Sequence, residues 1–325
     1  MSLTSFVGMP EVKDKLKSLR PKLSRKLSTP LKVDPRSRRY VLAGTAFDYL
    51  LRFELQRRAP HAISERWVAE RVPEIIWGEI GQPPPWMLWG GSDYPPEWDL
   101  EEGDPVHGGL DLLADVPSDQ YMPPKEVAKR AFVIVENAKK AMVAYVKAQP
   151  TAAMQAELAA HAIKLAKLDS VCRTGRLEPG FGQASPEDVQ DLIALLSITP
   201  FDDLLHDKVL LLNPAFGQAS QSVGGADADL ITGDLLVDFK TTKSGHITAG
   251  NLDQILGYFL LARKQHTVDP TFPEINRLGL YFCRHGYLWT LEASVWTSNP
   301  AFREIEQWFF RRADEVFGAS TRASR

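Results

Sequence analysis

The segment richest in chemistry is GGADADLITGDLLVDFKTTK, residues 224–243. If it folds as a strand, turn and strand, side-chain alternation puts Asp238 and Lys240 on one face and Phe239 on the other. The turn decides which acid lies across from Asp238. A Gly233-Asp234 turn pairs Ile231 with Leu236 and Asp229 with Asp238, whereas a Thr232-Gly233 turn brings Asp227 opposite Asp238. In both registers two carboxylates face one another, an arrangement that repels unless a cation lies between them. The repulsion predicts that neutralising Asp238 stabilises the metal-free chain. Hard carboxylate oxygens suit Mg²⁺ or Mn²⁺ rather than zinc, so Asp229 and Asp238 are the expected metal ligands, with Asp227 as the alternative ligand. Lys240 beside a metal-bound water would orient or help deprotonate the nucleophile and stabilise charge growing on a phosphate. The chemistry expected is metal-assisted phosphodiester hydrolysis.

Several elements must position this segment. Apolar residues recur at helical spacing through YVLAGTAFDYLLRFELQRR, at Leu42, Ala46, Tyr49, Leu50, Phe53 and Leu55, and predict a helix there. A short helix is expected over Ser64 to Val72. Residues 81–124 change character, with the prolines of QPPPW and DYPPEW, Trp86, Trp89 and Trp98, and an acidic EWDLEEGD stretch. This reads as an irregular excursion that rests on the body or receives a partner. Two long helices follow, one from Lys125 towards Pro150 and one over TAAMQAELAAHAIKLAKLDSVC. Ser185 reads as the N-cap of a shorter helix, with Pro186 in its first turn. From Leu205 the pattern turns to strands: KVLLLNP, the hairpin above, a helix in AGNLDQILGYFLLARKQ, a second hairpin in RLGLYFCRHGYLWTLE, and a closing helix in NPAFREIEQWFFRRADEVF. The expected fold class is α/β, a mixed-sheet core interrupted by a large helical insertion.

Composition sets the outer bounds. The chain has 325 residues, of which 44% are hydrophobic and 24% charged, enough to bury a core without disulfides. Its two cysteines, Cys172 and Cys283, fit no CxxC spacing, so a structural zinc, an iron-sulfur cluster and a disulfide framework all lack ligands. No Walker-type phosphate loop and no Ser-His-Asp or Cys-His grouping stands out; His161 and His206 read as ordinary helix or loop residues. No apolar run is long enough to cross a bilayer and the amino terminus has no apolar signal core, so a cytoplasmic protein is expected. Charge is unevenly spread. Residues 1–40 carry eleven bases against three acids, a net +8, which leaves -11 on the remainder of a chain whose formal charge is -3. Residues 1–38 therefore read as a basic arm, either a solvated and partly flexible tail or a phosphate-binding device.

The hairpin resembles the signature of the PD-(D/E)xK nuclease superfamily, with Asp229 as the first acid and Asp238-Phe239-Lys240 as the D-x-K. In the following helix, Gln254 and Tyr258 of QILGY resemble the QxxxY motif of the RecB-like branch. The early helix is similar to the GxxxHxxxE stretch of that branch at Gly44, but has Asp48 where the His stands and Arg52 where the Glu stands. The resemblance covers about 20 residues near Gly44 and about 90 from Leu205 to Leu291. It implies a RecB-like nuclease core of αβββαβ type, DNA as the partner and substrate, and Mg²⁺ or Mn²⁺ as the cofactor. Lys240, Asp238, Asp229, Gln254 and Tyr258 would be the catalytic set. Asp229, Asp238 and Asp48 would be the metal ligands.

This divides the chain into a basic arm (1–38), the first helices of the nuclease core (39–80), the Pro/Trp-rich segment (81–124), a helical insertion (125–200) and the remaining nuclease core (201–325). Two functions are carried forward. One is a metal-dependent DNase, acting at ends or internally, with RNA as an alternative substrate. The other is a catalytically weak or inactive nuclease-fold subunit that binds DNA or scaffolds a larger complex, its helical or Trp-rich part meeting a protein partner such as a helicase.

Overall fold

The computed structural model describes residues 2–22, 24–79, 123–178, 180–205 and 209–323. The expected excursion at 81–124 therefore lies outside the described residues up to 122, as does His206. The chain forms two compact units. One comprises residues 1–40, 51–65 and 194–325; the other comprises 41–50 and 66–193.

In chain order the helices are α1 (Leu3–Val7), α2 (Pro10–Leu16), α3 (Tyr40–Arg58), α4 (Val72–Glu79), α5 (Pro124–Lys147), α6 (Ala152–Thr174), α7 (Pro186–Ser197), α8 (Phe201–Leu204), α9 (Gly217–Gln221), α10 (Ala249–Val268), α11 (Ser294–Thr297) and α12 (Phe302–Ala323). The strands are β1 (Ile63–Ser64), β2 (Leu210–Leu212), β3 (Leu230–Thr232), β4 (Leu235–Lys240), β5 (Arg277–Phe282) and β6 (Tyr287–Glu292). They make one open six-stranded sheet whose spatial order follows the sequence. The β1/β2 and β4/β5 pairs are parallel, and the other neighbours are antiparallel. The fold is thus mixed α/β.

The second unit is helical. Helix α5 packs on both α4 and α6. Tyr49 ties the unit together through its hydroxyl, which donates to the Asp169 carboxylate at 2.8 Å and accepts from the Ala69 N–H at 3.2 Å. Ser185 caps α7 as its sequence predicts, accepting from the Asp188 N–H at 3.2 Å. The short helix expected over 64–72 is replaced by β1 and a 3-10 turn at Val68–Arg71. Ile63 and Ser64 pair with Leu211 and Leu212, and that tertiary ladder outweighs local helical preference.

In the sheet unit β4 lies between β3 and β5, and Leu235, Leu236 and Val237 are all buried. Helix α10 covers the face bearing Leu236 and is itself buried nearly all round, from Leu252 to Ala262. Helix α12 adds Phe302, Ile305, Phe309 and Ala313 from its apolar stripe.

Of the two readings of the basic arm, the solvated tail does not fit its described residues: Leu3, Phe6, Val7, Val12, Leu16, Leu19 and Leu27 are all buried in the core beside α10 and α12. The apolar residues alternate with the lysines, so a count of charge alone hides an amphipathic segment. The Phe6 ring stands edge-on to Phe309 at 5.1 Å and to Phe317 at 5.7 Å. Gly257 on α10 permits the close approach of α1, because a Cβ there would meet Leu3 Cδ1 at 3.0 Å and Val7 Cγ1 at 3.3 Å. The arm cannot be removed without uncovering α10.

Phe6→Ala is expected to cost about 3–5 kcal/mol, since it leaves a cavity in a fully buried site. The exposed Lys13→Ala is expected to stay within about 0.5 kcal/mol of the parent. Urea denaturation of both variants measures the contrast; equal stabilities would show that the amino-terminal segment is not part of the core.

Candidate active site

The hairpin adopts the first of the two registers. Leu230 pairs with Val237, Ile231 with Leu236 and Thr232 with Leu235, so the turn is Gly233-Asp234. Gly233 takes φ +57°, the left-handed conformation that favours glycine. Asp234 at the turn is held by Arg277, whose guanidinium reaches its carboxylate at 2.6 Å. Continuing the ladder by one residue sets Asp229 across from Asp238. Asp227, two residues further, forms an isolated bridge with Ala215 and is exposed.

Along β4 the face turned to α10 runs Leu236, Asp238, Lys240. Their β5 partners on that face are Leu278, Leu280 and Phe282. An apolar face therefore becomes ionic at the carboxyl end of one strand. β3 has ended by that level, so the Phe239 N–H finds its acceptor in the Asp229 carboxylate instead of a ladder carbonyl. The Asp229 carbonyl accepts from the Asn213 N–H at 3.0 Å, which anchors the acid from the β2 side.

From Asp238 a continuous polar chain reaches α10. The Lys240 ammonium lies 2.5 Å from Asp238 Oδ2 and donates to Gln254 Oε1 at 2.8 Å. Gln254 Nε2 in turn donates to the Tyr258 hydroxyl at 3.2 Å. Gln254 and Tyr258 share a face because they are one helical turn apart. The start of α10 is fixed by a capping box: the Thr248 hydroxyl accepts from the Asn251 N–H at 3.1 Å, and the Asn251 side chain accepts from the Thr248 N–H at 2.9 Å.

Burial defines the electrostatics. Asp238 is only 3% exposed. Burial works against the Lys240 ammonium, but the charges of Asp238 and Asp229 outweigh it and hold its pKa above the ordinary lysine value. Burial, and then the carboxylates of Asp238, Asp229 and Asp227, push the Tyr258 phenol well above its ordinary value, so it stays a neutral hydrogen-bonding group.

Sequence reasoning missed two neighbours of the site. Thr4 of α1 receives a 3.5 Å contact from Gln254 Nε2. Cys283 lies at the end of β5, its thiol pushed well up by burial and then by the Asp229 charge. Neither carries a motif, and only the docking of α1 and β5 brings them here. Thr241 and Thr242 follow Lys240 out of the strand; the Thr241 carbonyl accepts from the Arg284 guanidinium at 3.0 Å.

Asp48 lies in the 41–50 stretch of the helical unit, and Asp229 and Asp238 lie in the sheet unit. Among the described residues, no group of three or more His, Cys, Asp or Glu side chains is arranged to hold a metal ion. The protein donors the hairpin offers are two carboxylates. That fits Mg²⁺ or Mn²⁺, which commonly takes one or two carboxylates and keeps water on its remaining positions, and does not fit a structural zinc. Among the described residues, no helix is long and apolar enough to cross a membrane. No family model, curated protein or solved structure matches the chain.

The ion pair reverses the expectation drawn from carboxylate repulsion alone. Asp238→Asn leaves the Lys240 ammonium in a largely buried place without its nearest anion, so the metal-free protein is expected to lose about 1–3 kcal/mol. Asp238→Asn combined with Lys240→Met is expected to recover most of that loss, because the buried charge is gone. Urea denaturation in EDTA distinguishes this from the repulsion-dominated outcome, in which Asp238→Asn would be the more stable protein.

Proposed function

We propose that the protein is a Mg²⁺- or Mn²⁺-dependent nuclease of RecB-like kind that hydrolyses DNA phosphodiester bonds. In this reading residues 39–80 and 201–325 form the nuclease core, and residues 125–200 are its helical insertion. The observation that carries it is the continuous assembly Asp238, Lys240, Gln254 and Tyr258 on the α10 face of β4, with Asp229 on the adjacent position of the hairpin.

Each side chain then has a task. Asp229 and Asp238 would hold the divalent ion, which when bound would supply Lewis-acid stabilisation of charge on a phosphoryl oxygen and make a water more acidic. Lys240 orients or helps deprotonate the attacking water and faces the charge that builds on the phosphate. Gln254 accepts from Lys240 and so limits its rotamers, and Tyr258 holds Gln254 in turn. Burial of Asp238 and Tyr258 limits how far solvent screens the charges beside them. A second reading, a nuclease-fold subunit that binds DNA with little or no cleavage, is favoured by Arg52, which stands where the resembled motif has a carboxylate.

Incubation of linear and circular DNA with Mg²⁺, Mn²⁺ or EDTA tests the two readings against each other. Cleavage is expected with metal and none with EDTA. Asp238→Ala and Lys240→Ala are each expected to lower the rate by about 100-fold or more, the scale of removing a group that stabilises transition-state charge. Full activity in Lys240→Ala would sink the mechanism.

The observed register adds an asymmetry. Asp229→Ala is expected to be as damaging as Asp238→Ala, while Asp227→Ala only reduces activity. Equal and mild effects from both would mean that neither acid is an essential ligand.

A further inference from the structure

The amino-terminal segment is folded, yet most of its charge is not neutralised, and its position relative to the site is informative. Residues 25–27 run alongside 245–247 of the loop that joins Lys240 to α10. Leu27 N–H donates to the Gly245 carbonyl at 2.9 Å, Ile247 N–H donates to the Arg25 carbonyl at 2.7 Å, and Lys26 bridges His246. Further back, Lys13, Lys17 and Arg20 stand with Asp14 around a cavity of about 460 Å³ at the first turn of α10, whose other wall includes Gly250 and Asp253. The two clusters are thus joined by residues 245–253, the stretch that leads from the catalytic strand into the helix carrying Gln254 and Tyr258.

The charges along this path are strongly biased. Lys15 is spent on Glu304 at 2.8 Å, and Arg20 grips Asp253 with hydrogen bonds of 2.7 and 2.6 Å. Lys13, Lys17, Lys22, Arg25, Lys26 and Lys243 remain; all six are exposed and, among the described residues, none is in an ion pair. In segments 13–26 and 243–253 the one exposed carboxylate is Asp14. Six like charges held on a rigid surface repel one another, and the buried leucines between them prevent the segment from spreading to relieve it. A polyanion relieves it.

We infer that residues 13–26 together with Lys243 form the surface that holds the phosphate backbone of duplex DNA beside the Asp229/Asp238 hairpin. The partner is a duplex rather than a single strand because neither segment contains a Phe, Tyr or Trp on which an unpaired base could stack, while a double helix presents one phosphate charge per about 1.7 Å of axis. Interactions of this kind fix position without reading sequence. The proposal rests on the nuclease reading for what the DNA is delivered to, and on the charges themselves for binding.

Binding is measured by fluorescence anisotropy with a labelled duplex of about 30 base pairs, long enough to span several helical turns, and the matching single strand, in EDTA and across a salt series, so that cleavage plays no part. Lys13→Gln/Lys17→Gln and Arg25→Gln/Lys26→Gln/Lys243→Gln change only exposed side chains, and circular dichroism checks that they fold. Each set is expected to weaken duplex binding and to reduce the slope of log affinity against log salt by about 0.9 for every phosphate no longer neutralised. Lys125→Gln/Lys147→Gln, on α5, is expected to leave both unchanged. Wild-type affinity and slope in both surface variants, an equal loss in the α5 variant, or a loss confined to the single strand would each overturn the inference. The two readings fail separately. Metal-dependent cleavage by the parent with undiminished binding in the surface variants removes this surface and leaves the nuclease; weakened binding with no cleavage by the parent does the opposite.

Discussion

The ion pair between Asp238 and Lys240 is the constraint around which the sheet unit is organised. A carboxylate 3% exposed and an ammonium in the same row of a central strand can be kept there only if each has a partner. The structure meets that need from three directions. The hairpin brings Asp229 within reach of the β4 backbone, α10 offers Gln254 to the ammonium, and Tyr258 supports Gln254 from one turn away. Removing the register, the helix or the cap of the helix would leave a buried charge without support. The same demand explains why the polar end of β4 coincides with the end of β3, since a continuing ladder would have taken the Phe239 N–H that now orients Asp229.

The amino-terminal segment does two things at once because its residues alternate between leucine and lysine. Its apolar side covers α10 and α12, and its polar side presents cations next to the loop that leaves β4. Gly257 is the meeting point of the first role, as even a Cβ there would press on Leu3 and Val7 of α1. Core packing thereby fixes where the charge sits. A flexible tail of the same composition would concentrate charge without directing it.

Much of the sheet unit could be read from the sequence, and the reasons are local. Alternation in LLVDFK, the glycine at the turn and the apolar runs of α3, α10 and α12 each reflect a periodicity set by one element's own geometry. Boundaries followed where a cap was written into the chain, as at Ser185. What could not be read were pairings between distant segments. Strand β1 looked helical until β2 claimed it, and the sequence left the basic arm open between a solvated tail and a phosphate-binding device because net charge does not say which side chains face a core.

The sequence by itself determined the chemistry on offer: two acids and a lysine at strand spacing, a glutamine and a tyrosine at helical spacing, and an apolar pattern able to bury them. These follow from backbone periods that every strand and helix obeys. Only the tertiary structure decided that Asp229 rather than Asp227 stands across from Asp238, and that Lys240 is partnered by Asp238 and Gln254. Register and partnership depend on which groups are brought close in space and on how far water is excluded from them, and neither quantity is a property of residues taken in order.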